Sequence, residues 1–403
     1  MNSITIIIKN KGWCYSLLKT ILYCLIFGDM IKAGILGGGQ LGRMLLQAAA
    51  NYPVETFILE NDSACPSAHL CHHFTKGDIT NFDDVYNFGK GLDVVTIEIE
   101  HVNEDALQQL ENEGVIIFPN VAALKIIKSK ILQKEFYKAI EVPSGEFVVT
   151  NTKTDLHQHT NFLPAVHKIA KGGYDGKGVE LMHTGADFEK GFDAPAVLEK
   201  MVDIKKELSM IIAVSQTGEI VLYEPVDMVV DKRLNLLSYQ ICPAVIPENI
   251  MWKAEAVALK VVKELKSAGI FAVELFTDQQ DNIYVNETAP RVHNSGHHSI
   301  EACYSSQFDM LWRVMLGYPL GNTDHILPAA IVNLVGEENH TGEAEYTGLK
   351  EVLAMDNVFV HIYGKKMTKP GRKMGHVTIL SNEPQELLHK ANQIKQLLKV
   401  VAK

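Results

Sequence analysis

The sequence has 403 residues, with 38 Lys and Arg against 48 Asp and Glu, a formal net charge of −10, and 47% apolar residues. At roughly 100–200 residues per domain this is a globular chain of about two to four domains, which excludes a disordered or fibrous protein. The acidic balance gives no sign of nucleic-acid binding, and six cysteines without metal-type spacing point to a reducing compartment, the cytoplasm.

Residues 1–29 contain Lys9 and Lys11 ahead of an apolar run at 15–27, which resembles a signal peptide. Lys19 interrupts the run, no small-residue cleavage site follows, and the run is shorter than the roughly 20 residues that span a bilayer. Met30-Ile31-Lys32 leads directly into a strand. The expectation is an unstructured or non-native extension at 1–29, a natural start at Met30 and no membrane segment.

Strands are predicted at 32–36, 54–59, 92–99 and 115–118, with helices between them, so 30–120 reads as an open parallel sheet domain. A lysine-rich helix is predicted over 121–140. Short strands follow at 146–150, 165–169, 178–182, 196–200, 207–214 and 219–223. A helix over 248–268 places Trp252, Ala256, Leu259, Val261 and Val262 on its apolar side. Strands at 270–277 and 282–287 complete an α+β region over 121–326. From 327 to 403 a small, mostly β third region shows strands at 329–335, 358–362 and 376–380 and a last helix at 383–400.

Gly37-x-Gly39-x-x-Gly42 follows a strand and opens a helix, and Glu60 ends the next strand. That is the dinucleotide-binding fingerprint, so a nicotinamide-dependent oxidoreductase is one reading. A tight strand-to-helix turn is another, and Gln40 offers an amide to a different phosphate ligand. A second glycine run, Gly172-Gly173-Tyr174-Asp175-Gly176-Lys177-Gly178, lies between two short strands, with Lys168 ahead of it. Its amides and lysines suit a flap over polyphosphate rather than a plain hairpin. No Ser or Thr follows Lys177, so it is not a P-loop.

Glu274 sits in one apolar strand and Asn286-Glu287 ends the next. If the strands pair, two carboxylates face each other, and a cation between them relieves their repulsion. Oxygen ligands from carboxylates plus phosphate are the usual magnesium set. Solvent-exposed glutamates are the plainer alternative. The loop Pro290-Arg291-Val292-His293-Asn294-Ser295-Gly296-His297-His298 reads as a binding loop, with Arg291 suited to an anion. Zinc on His293 and His297 is disfavoured by the intervening Ser-Gly. His69, Cys71, His72 and His73 read as loop residues. Lys365 to Lys373 holds five basic residues and no acid. The Pro370-Gly371 turn aims Arg372 at a phosphate.

Taken together, the strings at 37–43, 172–178, 286–297 and 370–376 make residues 30–400 resemble the 5-(carboxyamino)imidazole ribonucleotide synthase (PurK) family of the ATP-grasp superfamily. The resemblance implies an ATP-grasp fold with an N-terminal Rossmann-like open parallel sheet domain (30–120), an ATP-grasp domain (121–326) with an ATP-binding lid at 145–205, and a small C-terminal domain (327–403). It assigns the first glycine motif to the substrate side and removes the nicotinamide reading. It implies ATP-dependent carboxylation of 5-aminoimidazole ribonucleotide by bicarbonate through carboxyphosphate, in a cytoplasmic homodimer with ATP and two Mg²⁺ ions.

By the same resemblance, Lys130, Lys168, Gly173, Tyr174, Asp175, Gly176, Lys177, Gly178, Asn286 and Glu287 contact ATP. Glu199, Lys200, Met201 and Val202 line the adenine pocket, and Glu207 holds the ribose. Glu274, Glu287 and Asn286 hold the metal. Gln40, Leu41, Asp175, Arg291, His293 and Asn294 meet the imidazole and bicarbonate, with Arg291, Asp175 and His293 catalytic. Lys365 and Arg372 grip the substrate phosphate. The family's histidine after the middle strand is replaced near Asp231, and Lys200-Met201 replaces a Gln-Gly type pair. A sister enzyme using formate and a non-catalytic nucleotide-binding regulator are the alternatives. The two long strings and the kept acids favour the carboxylating enzyme.

Overall fold

The computed structural model describes residues 30–173, 178–231 and 236–403, so the expected extension at 1–29 lies outside the described residues. In the first region, apolar runs form parallel strands β1 (Ile31–Leu36), β2 (Val54–Glu60), β3 (His73–Lys76), β4 (Val94–Ile97) and β5 (Ile116–Phe118). Their order is β3-β2-β1-β4-β5. Helices α1 (Gln40–Ala49), α2 (Phe82–Gly89) and α3 (Glu104–Asn112) connect them. Alternation sends Ala33 and Ile35 of β1 into the core beside α1, and Leu36 into the core beside α2 and α3. The carboxyl ends of such strands are where open α/β sheets build their sites.

The helix expected over 121–140 is two helices, α4 (Val121–Lys128) and α5 (Lys130–Ala139). Ser129 between them is extended (φ −113°, ψ 117°), and its Oγ accepts from Leu132 N at 3.4 Å, capping α5. The break matters because it gives α5 its own direction. Lys130, Gln133, Lys134 and Tyr137 then share one face at helical spacing.

Strands β6 (Phe147–Thr150), β7 (Ala165–Ile169), β8 (Val179–Met182) and β9 (Ala196–Lys200) form a separate four-stranded antiparallel sheet. It has its own small core of Leu156, Phe162, Ala165, Met182, Phe188 and Leu198. Next come β10 (Ile204–Val214), β11 (Ile220–Leu222), β12 (Val226–Asp231), β13 (Leu236–Cys242), α6 (Glu248–Glu264), β14 (Gly269–Asp278) and β15 (Ile283–Ala289). After α7 (Ser299–Ala302) and α8 (Gln307–Leu316) lie β16 (Ala329–Val335), β17 (Gly342–Thr347), α9 (Leu349–Leu353), β18 (Val358–Ile362), β19 (Met367–Thr368), β20 (Lys373–Leu380), α10 (Pro384–Leu397) and β21 (Lys399–Ala402).

One long sheet runs β15-β14-β10-β12-β13-β16-β20-β18, with β11 on β10. The third region therefore continues the second: β13 pairs antiparallel with β16, Tyr239 opposite Val332. The last helix stops at Leu397, because Lys399–Ala402 becomes a strand paired to β17.

The core face of α6 carries Ile250, Ala254, Ala258, Val261 and Val262. Trp252 is 58% exposed and Ala256 is also exposed, contrary to the expected stripe. Helix α8 was not anticipated. Its Trp312 is fully buried and donates from Nε1 to Leu45 O of α1 at 2.7 Å, so the first two regions share one core. Among the described residues no helix is long and apolar enough to cross a membrane.

Candidate active site

The first glycine turn is closed by the protein's own acids. Gly37 has φ +104°, a conformation glycine adopts without strain. The amides of Gly39 and Leu41 donate to the Glu98 carboxylate, the second at 3.0 Å, and Gly38 N donates to Glu60 Oε2 at 3.0 Å. A Cβ on Gly39 would lie 2.4 Å from Glu98 Oε1. The Glu98 carboxyl already occupies these amides, so no dinucleotide phosphate is accommodated on them. Burial pushes the Glu98 carboxyl up, and the amides of Gly39, Leu41 and Gly42 oppose that. Gln40, the first residue of α1, stays partly accessible. Leu41 does not fit its expected substrate role: its side chain packs in the core and its amide serves Glu98.

The paired acids are adjacent as expected. Glu274 of β14 lies opposite Glu287 of β15, and the register shifts just beyond that pair. A bulge of this kind turns two successive residues toward one face, here Asn286 and Glu287. Asn286 donates from Nδ2 to Glu274 Oε2 at 3.4 Å and accepts at Oδ1 from Lys168 Nζ at 3.1 Å. Lys130 forms an ion pair with Glu287.

The two acids are held differently. Lys130 draws Glu287 well below the ordinary carboxylate range. Burial, and then the Glu287 charge, pushes Glu274 well above it. Burial works against the charge of Lys130, but Glu287 keeps its pKa raised. The oxygen set of Glu274, Asn286 and Glu287 fits a hard divalent cation.

Behind this group lies an ion cluster that the sequence reading divided. Glu199 is 5% exposed and joins Lys134, and Lys168 at 2.9 Å. Its side chain thus positions two lysines, where an adenine-lining role was expected. The two lysines hold its carboxyl down despite burial, which alone would raise it. Lys134 and Gln133, on the same face of α5 as Lys130, line a narrow pocket with Lys130, Lys168, Val197 and Asn286. Neither was picked out from sequence. The available signal was their i+3 and i+4 spacing from Lys130.

The rest of the expected nucleotide contacts are spread along the small sheet and its edge. Lys200 is exposed and faces Glu146 at 3.5 Å, and Met201 N donates to Pro164 O at 2.9 Å. Val202 follows in the connection to β10. Glu207 lies on β10 two residues before Ser209, which is opposite Glu274, so both project to the acid face. Burial pushes the Glu207 carboxyl up. Lys130 N donates to Ala170 O at 2.9 Å, and Ile169 N to Gly178 O at 2.9 Å, fixing the base of the second glycine loop. Gly173 and Gly178 flank that loop. Tyr174, Asp175, Gly176 and Lys177 lie outside the described residues, as does the side chain of Asp231.

The arginine–histidine loop is anchored from below. Gln307 of α8 accepts from His293 N at 2.8 Å and donates to His293 O at 2.7 Å. A Cβ on Gly296 would lie 2.5 Å from Gln307 Oε1, so only glycine fits beside it. His293 Nε2 lies 3.6 Å from Glu274 Oε1 and its Nδ1 2.9 Å from Ser295 Oγ. His297 contacts Gln307 instead, its Nδ1 3.2 Å from Gln307 Nε2. Arg291 Nε lies 2.9 Å from Glu100 Oε1, which brings the loop to the end of the first sheet. Asn294 is 9% exposed, and its Oδ1 has no hydrogen-bond partner among the described residues.

In the basic loop, Lys365 Nζ donates to Lys373 O at 2.8 Å and Arg372 Nη1 to Met367 O at 2.8 Å. Arg43 of α1 reaches this side too, since its Nη1 lies 3.7 Å from where a Gly364 Cβ would sit. Of the four residues near 69–73, His73 belongs to β3 and meets Glu55 at 2.6 Å, and His72 contacts Thr56.

Three family descriptions match consecutive parts of the chain: the ribonucleotide synthetase preATP-grasp domain at 30–128, the ATP-grasp domain at 135–308, and the phosphoribosylaminoimidazole carboxylase C-terminal domain at 329–390. The N5-carboxyaminoimidazole ribonucleotide synthase of Staphylococcus aureus (strain COL) is 33% identical over 364 residues, 89% of this chain and 94% of that one. The chloroplastic phosphoribosylaminoimidazole carboxylase of Vigna aconitifolia is 35% identical over 87% of this chain. The chain spans only 64% of that relative's length.

Among solved structures, the N5-carboxyaminoimidazole ribonucleotide synthetase of Thermotoga maritima is 37% identical. It matches with a TM-score of 0.85 over 93% of this chain and all of that one. The Aspergillus clavatus synthase in complex with ADP and 5-aminoimidazole ribonucleotide is 30% identical, with a TM-score of 0.82 over 91% and 100%.

Proposed function

The chain belongs to the N5-carboxyaminoimidazole ribonucleotide synthases, ATP-grasp ligases of purine biosynthesis, and on that premise we propose how its own residues carry out the family's reaction. ATP, bicarbonate and 5-aminoimidazole ribonucleotide give ADP, phosphate and 5-(carboxyamino)imidazole ribonucleotide, on the path to IMP. A bicarbonate oxygen attacks the γ-phosphorus, the bond to the ADP oxygen breaks, and carboxyphosphate forms. The exocyclic amine then bonds to the carboxyl carbon, phosphate leaves, and the amine gives up a proton.

The observation that carries this reading is the bulge that sets Asn286 and Glu287 opposite Glu274, with Lys130 and Lys168 on them. Lys130 and Lys168 neutralise the polyphosphate, and Glu199 with Lys134 holds Lys168 in place. Glu274, Glu287 and Asn286 are the residues that would hold magnesium, two ions in this reading. When bound it offsets the charge that builds up in phosphoryl transfer.

Arg291, positioned by Glu100, meets the anionic bicarbonate end, and His293, held by Ser295 beside Glu274, orients it. Asp175 belongs to the same end, Gln40 and Asn294 to the imidazole, Glu207 to the ribose of ATP, and Lys365 and Arg372 to the ribonucleotide phosphate. A homodimer in the cytoplasm is part of the same reading, checked by light scattering and by fractionation. The test of the activity is phosphate release from ATP with 5-aminoimidazole ribonucleotide, with and without bicarbonate. Bicarbonate-dependent release is expected, and an active preparation that ignores bicarbonate overturns the proposal.

A further inference from the structure

On the far side of the 291–298 loop lies a second constellation, built from residues remote in sequence. Cys242 ends β13, His298 precedes α7, and His325 lies in the segment before β16. Cys242 and His298 are each 1% exposed, and the His325 side chain is 11% accessible. One donor atom from each lies within 4.8 Å of the other two. Cys242 Sγ is 3.1 Å from His325 Nε2, and the two imidazoles stack with centroids 5.9 Å apart and planes 14° apart.

Outer partners fix which nitrogens face inward. His298 Nδ1 is 3.0 Å from Ser295 O, a carbonyl that can only accept, so Nδ1 carries the proton and Nε2 presents its lone pair. That Nε2 has no hydrogen-bond partner among the described residues. His325 Nδ1 lies 3.1 Å from Glu224 Oε2, off the line of a hydrogen bond. A carbonyl that fixes one imidazole nitrogen and leaves the other free, as at His298, and a carboxylate close behind an imidazole that faces a thiol, as at His325, are the usual outer partners of metal-ligating histidines.

We propose that Cys242 Sγ, His298 Nε2 and His325 Nε2 bind one zinc-class divalent cation. The donor set excludes magnesium and calcium, which take oxygen, and suits a borderline-soft ion. A thiol–imidazole hydrogen bond alone serves His325 and leaves a buried lone pair on His298, which costs free energy. A cation satisfies all three atoms. On binding, the Cys242 S–H bond breaks, a sulfur–metal bond forms, and the proton leaves to solvent past Glu224, whose side chain is 52% accessible. Both imidazoles stay neutral and no electrons are transferred. Three protein ligands leave one position of a tetrahedral ion open.

Cys303 pairs with His325 through a backbone bridge, yet the group within 4.8 Å does not include it. Gln240, two residues before Cys242, donates to Asn294 O and Ser295 O at 3.2 Å each. The cation therefore reinforces an existing tie between β13 and the loop that carries His293 and Asn294. It forms a structural pin independent of the reaction chemistry.

The test uses the full-length protein with Cys14 and Cys24 replaced by serine, stripped with a chelator and titrated with Co²⁺ as a spectroscopic probe. The expected result is one equivalent bound, with a thiolate-to-cobalt charge-transfer band and tetrahedral visible bands that Zn²⁺ abolishes. The charge-transfer band should vanish in Cys242→Ser. The tetrahedral bands should weaken in His298→Gln and in His325→Gln. All should persist in Cys303→Ser and in Glu287→Gln. Circular dichroism confirms that each variant is folded. A folded protein with no such band, a band that survives Cys242→Ser, or one lost with Cys303→Ser or Glu287→Gln overturns the site.

Discussion

Two candidate cation sites flank one loop, and they differ in almost every physical respect. Glu274, Asn286 and Glu287 offer only oxygen, are partly open to solvent, and are met by Lys130 and Lys168. Cys242, His298 and His325 offer sulfur and nitrogen, and two of the three are sealed from solvent. The first suits a hard ion that arrives and leaves with a nucleotide. The second suits a tightly held, softer ion with a structural task. The oxygen donors come from two strands joined by a short turn, whereas the soft donors span 242 to 325. Proximity in sequence therefore revealed one site and hid the other.

The largest effect that would sharpen this contrast lies beneath the oxygen site. Glu199→Ala leaves Lys134 and Lys168 without their shared buried partner. It is expected to cost about 3–5 kcal/mol, measured by urea unfolding. A loss below 1 kcal/mol, on the order of an exposed pair, would mean that the cluster is not an ion network. Next, Glu287→Gln removes one metal oxygen's charge while keeping the shape. Turnover should fall on the order of 10²–10³-fold, with the fold intact by circular dichroism. Near-normal turnover would take the hard cation away from this face.

Smaller still, Arg372→Ala should raise KM for the ribonucleotide by roughly tenfold with kcat nearly unchanged, as for loss of a charged hydrogen bond. A fall in kcat alone would place Arg372 elsewhere. A further prediction, read only as a pH slope, concerns a buried imidazole that, unlike His298, is satisfied. His167 Nε2 lies 3.0 Å from Thr150 Oγ1, and its Nδ1 accepts from Phe192 N at 3.3 Å. Burial pushes its pKa down to about 4 from the ordinary 6.5.

Because the folded form is depressed, its contribution is present above about pH 6.5. It is lost as pH falls toward about 4, by up to about 1.4 kcal/mol per pH unit. Unfolding of His167→Gln across that range should show a shallower slope than the parent. His298→Gln should change metal binding instead.

Much of the molecule was legible because the relevant physics is local. Strand–helix alternation in 30–120, the paired acids and the glycine turns are all short-range patterns. Other features depend on partners far along the chain. Glu98 fills the first glycine turn from about 60 residues away, a contact no spacing rule encodes, and it takes the amides that a dinucleotide phosphate would need. Glu199 read as a pocket residue because Lys134 was invisible as its partner. Leu41 and Trp252 were placed on the wrong surfaces by assuming that motif membership or apolar character fixes the facing side. Ser129, a capping residue in plain view, was the missed signal that splits the lysine-rich helix.

The central claim is that bicarbonate attacks the γ-phosphorus at the Glu274–Glu287 face. Turnover with bicarbonate labelled in all oxygens with oxygen-18, quenched before exchange with water, tests it most directly. The account predicts one labelled oxygen in the phosphate released, retained from the phosphorus–oxygen–carbon bridge. Unlabelled phosphate from a preparation making the carboxylated product would contradict it.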